Sequence, residues 1–147
     1  MSRIEVNTVA VDFFEKEFEL NGFTVEESPR PTGEINFLAL STLGRIIKVK
    51  VKAVSRMGSY VNVKKKNFDI DDDDLFMAFA YIPQNESERI LYLIPATKWG
   101  KDIYPFIGKD YPREDQVSLP EWGINFSYKA KDALEPYRFS EVIDLLK

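Results

Sequence analysis

The chain has 147 residues, 44% hydrophobic and 14% aromatic, enough to bury about two thirds of its unfolded surface as one domain spanning 1–147. It contains no cysteine and no histidine. That excludes disulfides, thiolate and imidazole metal sites, and Ser-His or Cys-His catalysis, leaving carboxylates, Lys, Tyr, Arg, Ser and Thr for any chemistry. The net charge of −4 conceals a segregation: residues 35–68 carry eight basic side chains and no Asp or Glu, so the remainder holds 12 basic against 24 acidic. Such a field points to an anionic partner or to a matching acidic surface within the same fold.

Val6, Val9, Ala10, Phe13 and Phe14 follow the spacing of an amphipathic helix, with Asp12, Glu15, Lys16 and Glu19 on its other side and Asn21-Gly22 as its stop. Glu5, Asn7 and Asp12 interrupt any signal-like apolar run, and no segment approaches the roughly 20 apolar residues of a membrane span. The expectation is a cytoplasmic protein without a membrane partner. Phe23 to Glu26 predicts a short strand, and Ser28 to Gly33 a loop. Ile35 to Leu40 and Arg45 to Val54 predict a hairpin about Ser41-Thr42-Leu43-Gly44. In its second arm Ile47, Val49, Val51 and Ala53 alternate with Lys48, Lys50 and Lys52. Ser59 to Val63 predicts a further short strand. Asp69 to Asp74 is an acidic run, and Leu75 to Ile82 and Arg89 to Pro95 are apolar runs suited to strands covered on both faces. Lys98 to Gly123 reads as irregular, and Ser140 to Lys147 as a closing helix with Ser140 as N-cap. The order predicts an α/β or α+β domain with a central mixed β-sheet flanked by helices.

From Val6 to Pro95 this order, with lysines on the second hairpin strand, resembles the core of the restriction-endonuclease-like superfamily, the PD-(D/E)XK nucleases. It is most similar to small stand-alone members in which a Gly-x-x-Asp strand precedes a Gln-Val-Lys or Glu-x-Lys strand. The resemblance implies a helix acid and strand carboxylates that bind Mg²⁺, and a Lys that orients or activates water for phosphodiester hydrolysis. Matched residue by residue, Asp12 stands for the helix acid, Asn36 for the metal-binding Asp and Lys52 for the family Lys; Lys50 falls where Glu or Gln belongs. Glu34 is a carboxylate two residues from Asn36, a candidate migrated ligand.

These departures weigh against hydrolysis. Asn is a weak neutral ligand, and an ammonium about 4 Å from a divalent cation is repelled by about 2 kcal/mol even at water-like dielectric. The expectation is therefore a degenerate site without metal or other cofactor. Lys50 would stand as a fixed positive charge paired with Asp12 or Glu34. An active Mg²⁺-dependent nuclease using Asp12, Glu34, Asn36 and Lys52 is the alternative.

The lysine stripe has two readings: a sheet edge guarded against aggregation, or a phosphate-binding face formed by Arg45, Lys48, Lys50, Lys52, Arg56, Lys64, Lys65 and Lys66. Tyr60 within the block is either ordinary packing or a stacking partner for a base. The acidic run lacks the glycine and terminal Glu of a calcium loop; it reads as a solvated loop that would also cover the basic block. The late aromatics Trp99, Tyr104, Phe106, Tyr111 and Trp122 read as core, or as a patch for a partner. Candidate partners are nucleic acid, or a protein docked on the basic face in an assembly role, with homodimerisation open.

Overall fold

The computed structural model describes residues 2–28, 35–110 and 119–147. Helix α1 (Arg3–Leu20) starts at Ser2, whose hydroxyl accepts the Glu5 N–H, and ends at Asn21. Gly22 follows at φ 89°, a left-handed conformation that only glycine adopts without strain. Its inward stripe is Val6, Ala10, Phe14 and Phe18, a tighter line than the predicted helix face, since Val9 and Phe13 flank it.

Strands β1 (Thr24–Glu27), β2 (Phe37–Leu40), β3 (Ile46–Val54), β5 (Leu75–Tyr81) and β6 (Ile90–Pro95) form a five-stranded mixed sheet in the order β1-β2-β3-β5-β6. The three leading strands are an antiparallel meander, β5 runs parallel to β3, and β6 returns antiparallel. Most of the predicted Ser28 to Gly33 loop, with Glu34, lies outside the described residues. A second, three-stranded sheet has the order β4-β8-β7, from β4 (Tyr60–Lys64), β7 (Ile107–Lys109) and β8 (Glu121–Asn125). The stretch expected to be irregular thus supplies β7 and most of β8.

The large sheet is covered on both faces. One face packs on α1 and the C-terminal segment, where Phe18 meets Phe37 and Phe139 edge-on at 5.7 and 5.1 Å between ring centres. The other packs on the small sheet, where Met77, Phe79, Tyr92 and Ile94 meet Val61, Ile124 and Phe126. This sandwiching explains the unbroken apolar run of β5, buried at six of its seven positions. Trp99 and Phe106 belong to this core, whereas Tyr104 is half exposed; Tyr111 lies outside the described residues.

Helix α2 (Tyr128–Ala133) precedes the chain's last elements. The closing helix α3 (Phe139–Val142) runs into a 3₁₀ segment, Ile143–Leu146. Its N-cap is Arg138, not Ser140, because Phe139 is drawn into helical register by burial against Phe14 and Phe18. Among the described residues no helix is long and apolar enough to cross a membrane.

Candidate functional site

The two-residue period of β3 sends Ile47, Val49 and Val51 into the α1 core and Lys48, Lys50 and Lys52 to the opposite face. There the lysines stand in register with Leu75, Met77 and Phe79 of β5. Lys48 is interior, between β2 and β5, but β2 pairs β3 only over Ile46–Val49, so past the Asn36 contact with the Val51 N–H the stripe has β5 alone as its ladder partner. It lies at the margin of the second core, with lysine stems against buried apolar neighbours and ammonium groups at its rim.

The stripe divides into two environments. At its start, Lys48 pairs with Asp72, and Arg45 donates to the Asp74 carboxylate at 3.0 Å and the Asp73 carbonyl at 3.2 Å. Burial alone would raise the Asp72 carboxyl, but hydrogen bonds from Lys48 and from the Asp74 N–H, with the Lys48 charge, hold it below its ordinary value. The acidic run therefore neutralises this end of the basic block.

Further along, Lys50 and Lys52 line a groove of about 940 Å³ between the first two turns of α1 and β4, together with Arg3, Asn7, Arg56 and Asn62. A contiguous recess of about 150 Å³ shares Lys50, Lys52 and Asn62 and adds Lys64 and Asn67. Among the described residues no Asp or Glu lines either one. Burial, then the Lys52 charge, push the Lys50 ammonium down to about 8. Burial, then the charges of Arg3 and Lys64, lower that of Lys52. Both shifts express crowded positive charge in a partly dry cleft, and an anion bound there would relieve both.

The nuclease-like residues only partly converge. The β2–β3 register, extended by one residue, sets Asn36 opposite Lys50. The Asn36 N–H donates to the Val49 carbonyl at 2.8 Å, and its Oδ1 accepts the Val51 N–H at 2.7 Å. Asn36 thus stitches the chain entering β2 to β3. Asp12 is elsewhere: two residues beyond inward-facing Ala10, it is about 200° around the helix, exposed and paired with Lys16 at 2.9 Å. From α1 the groove receives Arg3 and Asn7 instead. Asn7 was legible only as a neighbour of the buried stripe, because a neutral amide carries no catalytic signal. Glu34 lies outside the described residues.

Of the remaining block, Lys65 pairs with Asp110 at 2.9 Å and lies over the Trp122 ring, Lys66 is exposed, and Arg56 stands at the groove rim. Among the described residues no three acidic side chains group to hold a metal ion. The Asn36 side-chain oxygen accepts the Val51 N–H and stands opposite Lys50, so among the described residues these groups do not fit Mg²⁺. The arrangement can bind an anion; among the described residues it groups no ligand set for a cation.

No protein-family model matches the sequence, and no curated protein matches it.

Proposed function

We propose that the chain is a cytoplasmic, catalytically degenerate nuclease-like domain that binds nucleic acid through the groove bearing Lys50 and Lys52. One observation carries the reading: Arg3, Lys50, Lys52, Arg56 and Lys64 face two cavities that share Lys50, Lys52 and Asn62 and that, among the described residues, only neutral and basic side chains line. A polyanion with regularly spaced charges suits such a groove, because each phosphate replaces repulsion between cations with attraction and releases counterions. The sheet order and the position of Asn36 opposite Lys50 support the nuclease-like origin. The ammonium groups beside it favour retention of phosphate over its cleavage.

The test is fluorescence anisotropy with a labelled oligonucleotide across a salt series, with Mg²⁺ or Mn²⁺ added in a parallel cleavage assay. Binding should weaken steeply with salt, fall further in Lys52→Glu, and leave the oligonucleotide intact. Absent or salt-insensitive binding would dismiss the reading in favour of a protein-docking subunit. Metal-dependent cleavage lost in Lys52→Ala would restore the active nuclease.

A further inference from the structure

Tyr60 opens β4, and its side chain leaves the small sheet on the same face as Asn62 and Lys64. Across the ladder this face continues through Glu121, Gly123 and Asn125 of β8. The ring lies down on the β8 backbone at Gly123, where an added Cβ would fall 2.5 Å from the hydroxyl oxygen and 2.6 Å from Cε1. Only glycine leaves that space. The hydroxyl donates to the buried Glu121 carboxylate at 3.0 Å, which fixes the ring in its own plane. Above it sits the Lys109 ammonium, 4.1 Å from the ring centre. Tyr60 is also among the residues that line the groove holding Lys50 and Lys52. The result is an oriented aromatic plate at the wall of a cationic channel, covered by a flexible cation.

We propose that Tyr60 is a base-stacking plate and that the groove takes a single-stranded nucleic acid, one of whose bases displaces Lys109 from the ring. This inference rests on the anion-binding reading of the same groove and adds to it the kind of strand. A duplex keeps its bases stacked on each other, whereas a single strand presents a free π-face beside its phosphates. The lysine over the ring occupies the position a base would take. Once displaced, its exposed ammonium stays within reach of the strand's phosphates. The glycine bed and the Glu121 bond fix the plate beforehand, so little ordering remains for the ligand to impose.

Anisotropy titrations with a labelled oligothymidine strand and a duplex of the same length, across one shared salt series, test this. The wild type should prefer the single strand. Tyr60→Leu keeps apolar bulk but no π-face and should lose roughly five- to hundredfold of single-strand affinity, with an unchanged salt slope and the far-ultraviolet dichroism of the parent. Tyr60→Phe keeps the plate without the Glu121 bond and should bind within about twofold of wild type. Equal single-strand affinity in Tyr60→Leu, or preference for the duplex, would overturn the stacking plate. If Lys52→Glu abolishes binding while Tyr60→Leu does not, the cationic groove stands and the plate falls. If neither nucleic acid binds at low salt, both fall.

Discussion

Raising the pH from 7 to 9 should weaken anion binding about tenfold, through Lys50 alone. Burial and the neighbouring Lys52 charge bring its ammonium down to about 8, so about nine tenths of the molecules carry the charge at pH 7 and about one tenth at pH 9. A phosphate seated beside Lys50 favours the charged form and returns it toward the ordinary value near 10.4. Over this interval the bound state keeps its proton while the free state loses it. Affinity then falls with the charged fraction, which amounts to about 1.4 kcal/mol. Tenfold is the ceiling, because solvent around the half-buried ammonium screens part of the interaction. Anisotropy at constant ionic strength reads the effect. Lys50→Arg, charged throughout, should bind equally at pH 7 and 9, and Lys50→Gln, never charged, should also show no change but bind more weakly than wild type does even at pH 9, where the remaining charged fraction still binds. A flat wild-type profile, or a falling one in Lys50→Arg, would refute the reasoning. The linked stability effect has a definite sign. A lysine with a lowered folded value burdens the native state fully below pH 8, and the burden lifts as pH climbs toward 10.5. The urea midpoint should therefore rise between pH 8 and 9.5 in the wild type and not in Lys50→Gln.

Asn36→Ala should lower unfolding free energy by about 1–3 kcal/mol, because it orphans the Val51 N–H; Asn36→Asp keeps the acceptor and should stay within about 1 kcal/mol of wild type in urea titrations. Asp72→Asn releases Lys48 from its ion pair, so the oligonucleotide salt slope should steepen by about one while stability changes by less than about 1 kcal/mol; an unchanged slope would place Lys48 outside the ligand path. Phe18→Ala removes a fully buried ring in edge contact with Phe23, Phe37 and Phe139, and should cost about 3–5 kcal/mol by chemical denaturation.

Elements whose pattern is set by one dominant packing face were legible. The alternation of β3 reports an apolar core on one side and a core margin on the other, and the LFMAFAY run of β5 reports cover on both. Of the small sheet only β4 was legible, as the Ser59 to Val63 strand with its alternating burial; β7 and β8 owe their form to pairing rather than to periodicity. Strand β8 reads EWGIN, with a buried glutamate and a glycine; it becomes a strand by bonding β4 on one edge and β7 on the other. Its Gly123, which any propensity scale counts against a strand, is where Tyr60 lies. Within the site, Asp12 was misjudged on helix phase: its chemistry suited a ligand, but the inward stripe Val6, Ala10, Phe14 and Phe18 turns it to the far side. The Lys48–Asp72 pair spans 24 residues and depends on the parallel β3–β5 register, which local sequence does not state.

That register also explains why an acidic run beside a basic block leaves half of it uncovered. Lys48 aligns with Leu75, the first residue of β5, so the Asp69 to Asp74 loop that feeds β5 must descend beside Arg45 and Lys48. Lys52 is four residues further along the same strand, about 13 Å at 3.3 Å per residue. That exceeds the Debye length of about 8 Å at physiological ionic strength. The loop's carboxylates therefore neutralise the near end and contribute little at the far end, where Arg3 and Lys64 add their own positive charge. A chain with net charge −4 can thus hold a local positive field, because parallel pairing sets where the acidic loop lands. Lengthening the loop at Asp71 with two or three Asp residues should extend that neutralisation toward Lys50 and weaken oligonucleotide binding at low salt more than at high salt. An equal loss at both would mean that the acidic loop acts by blocking the groove rather than by its charge.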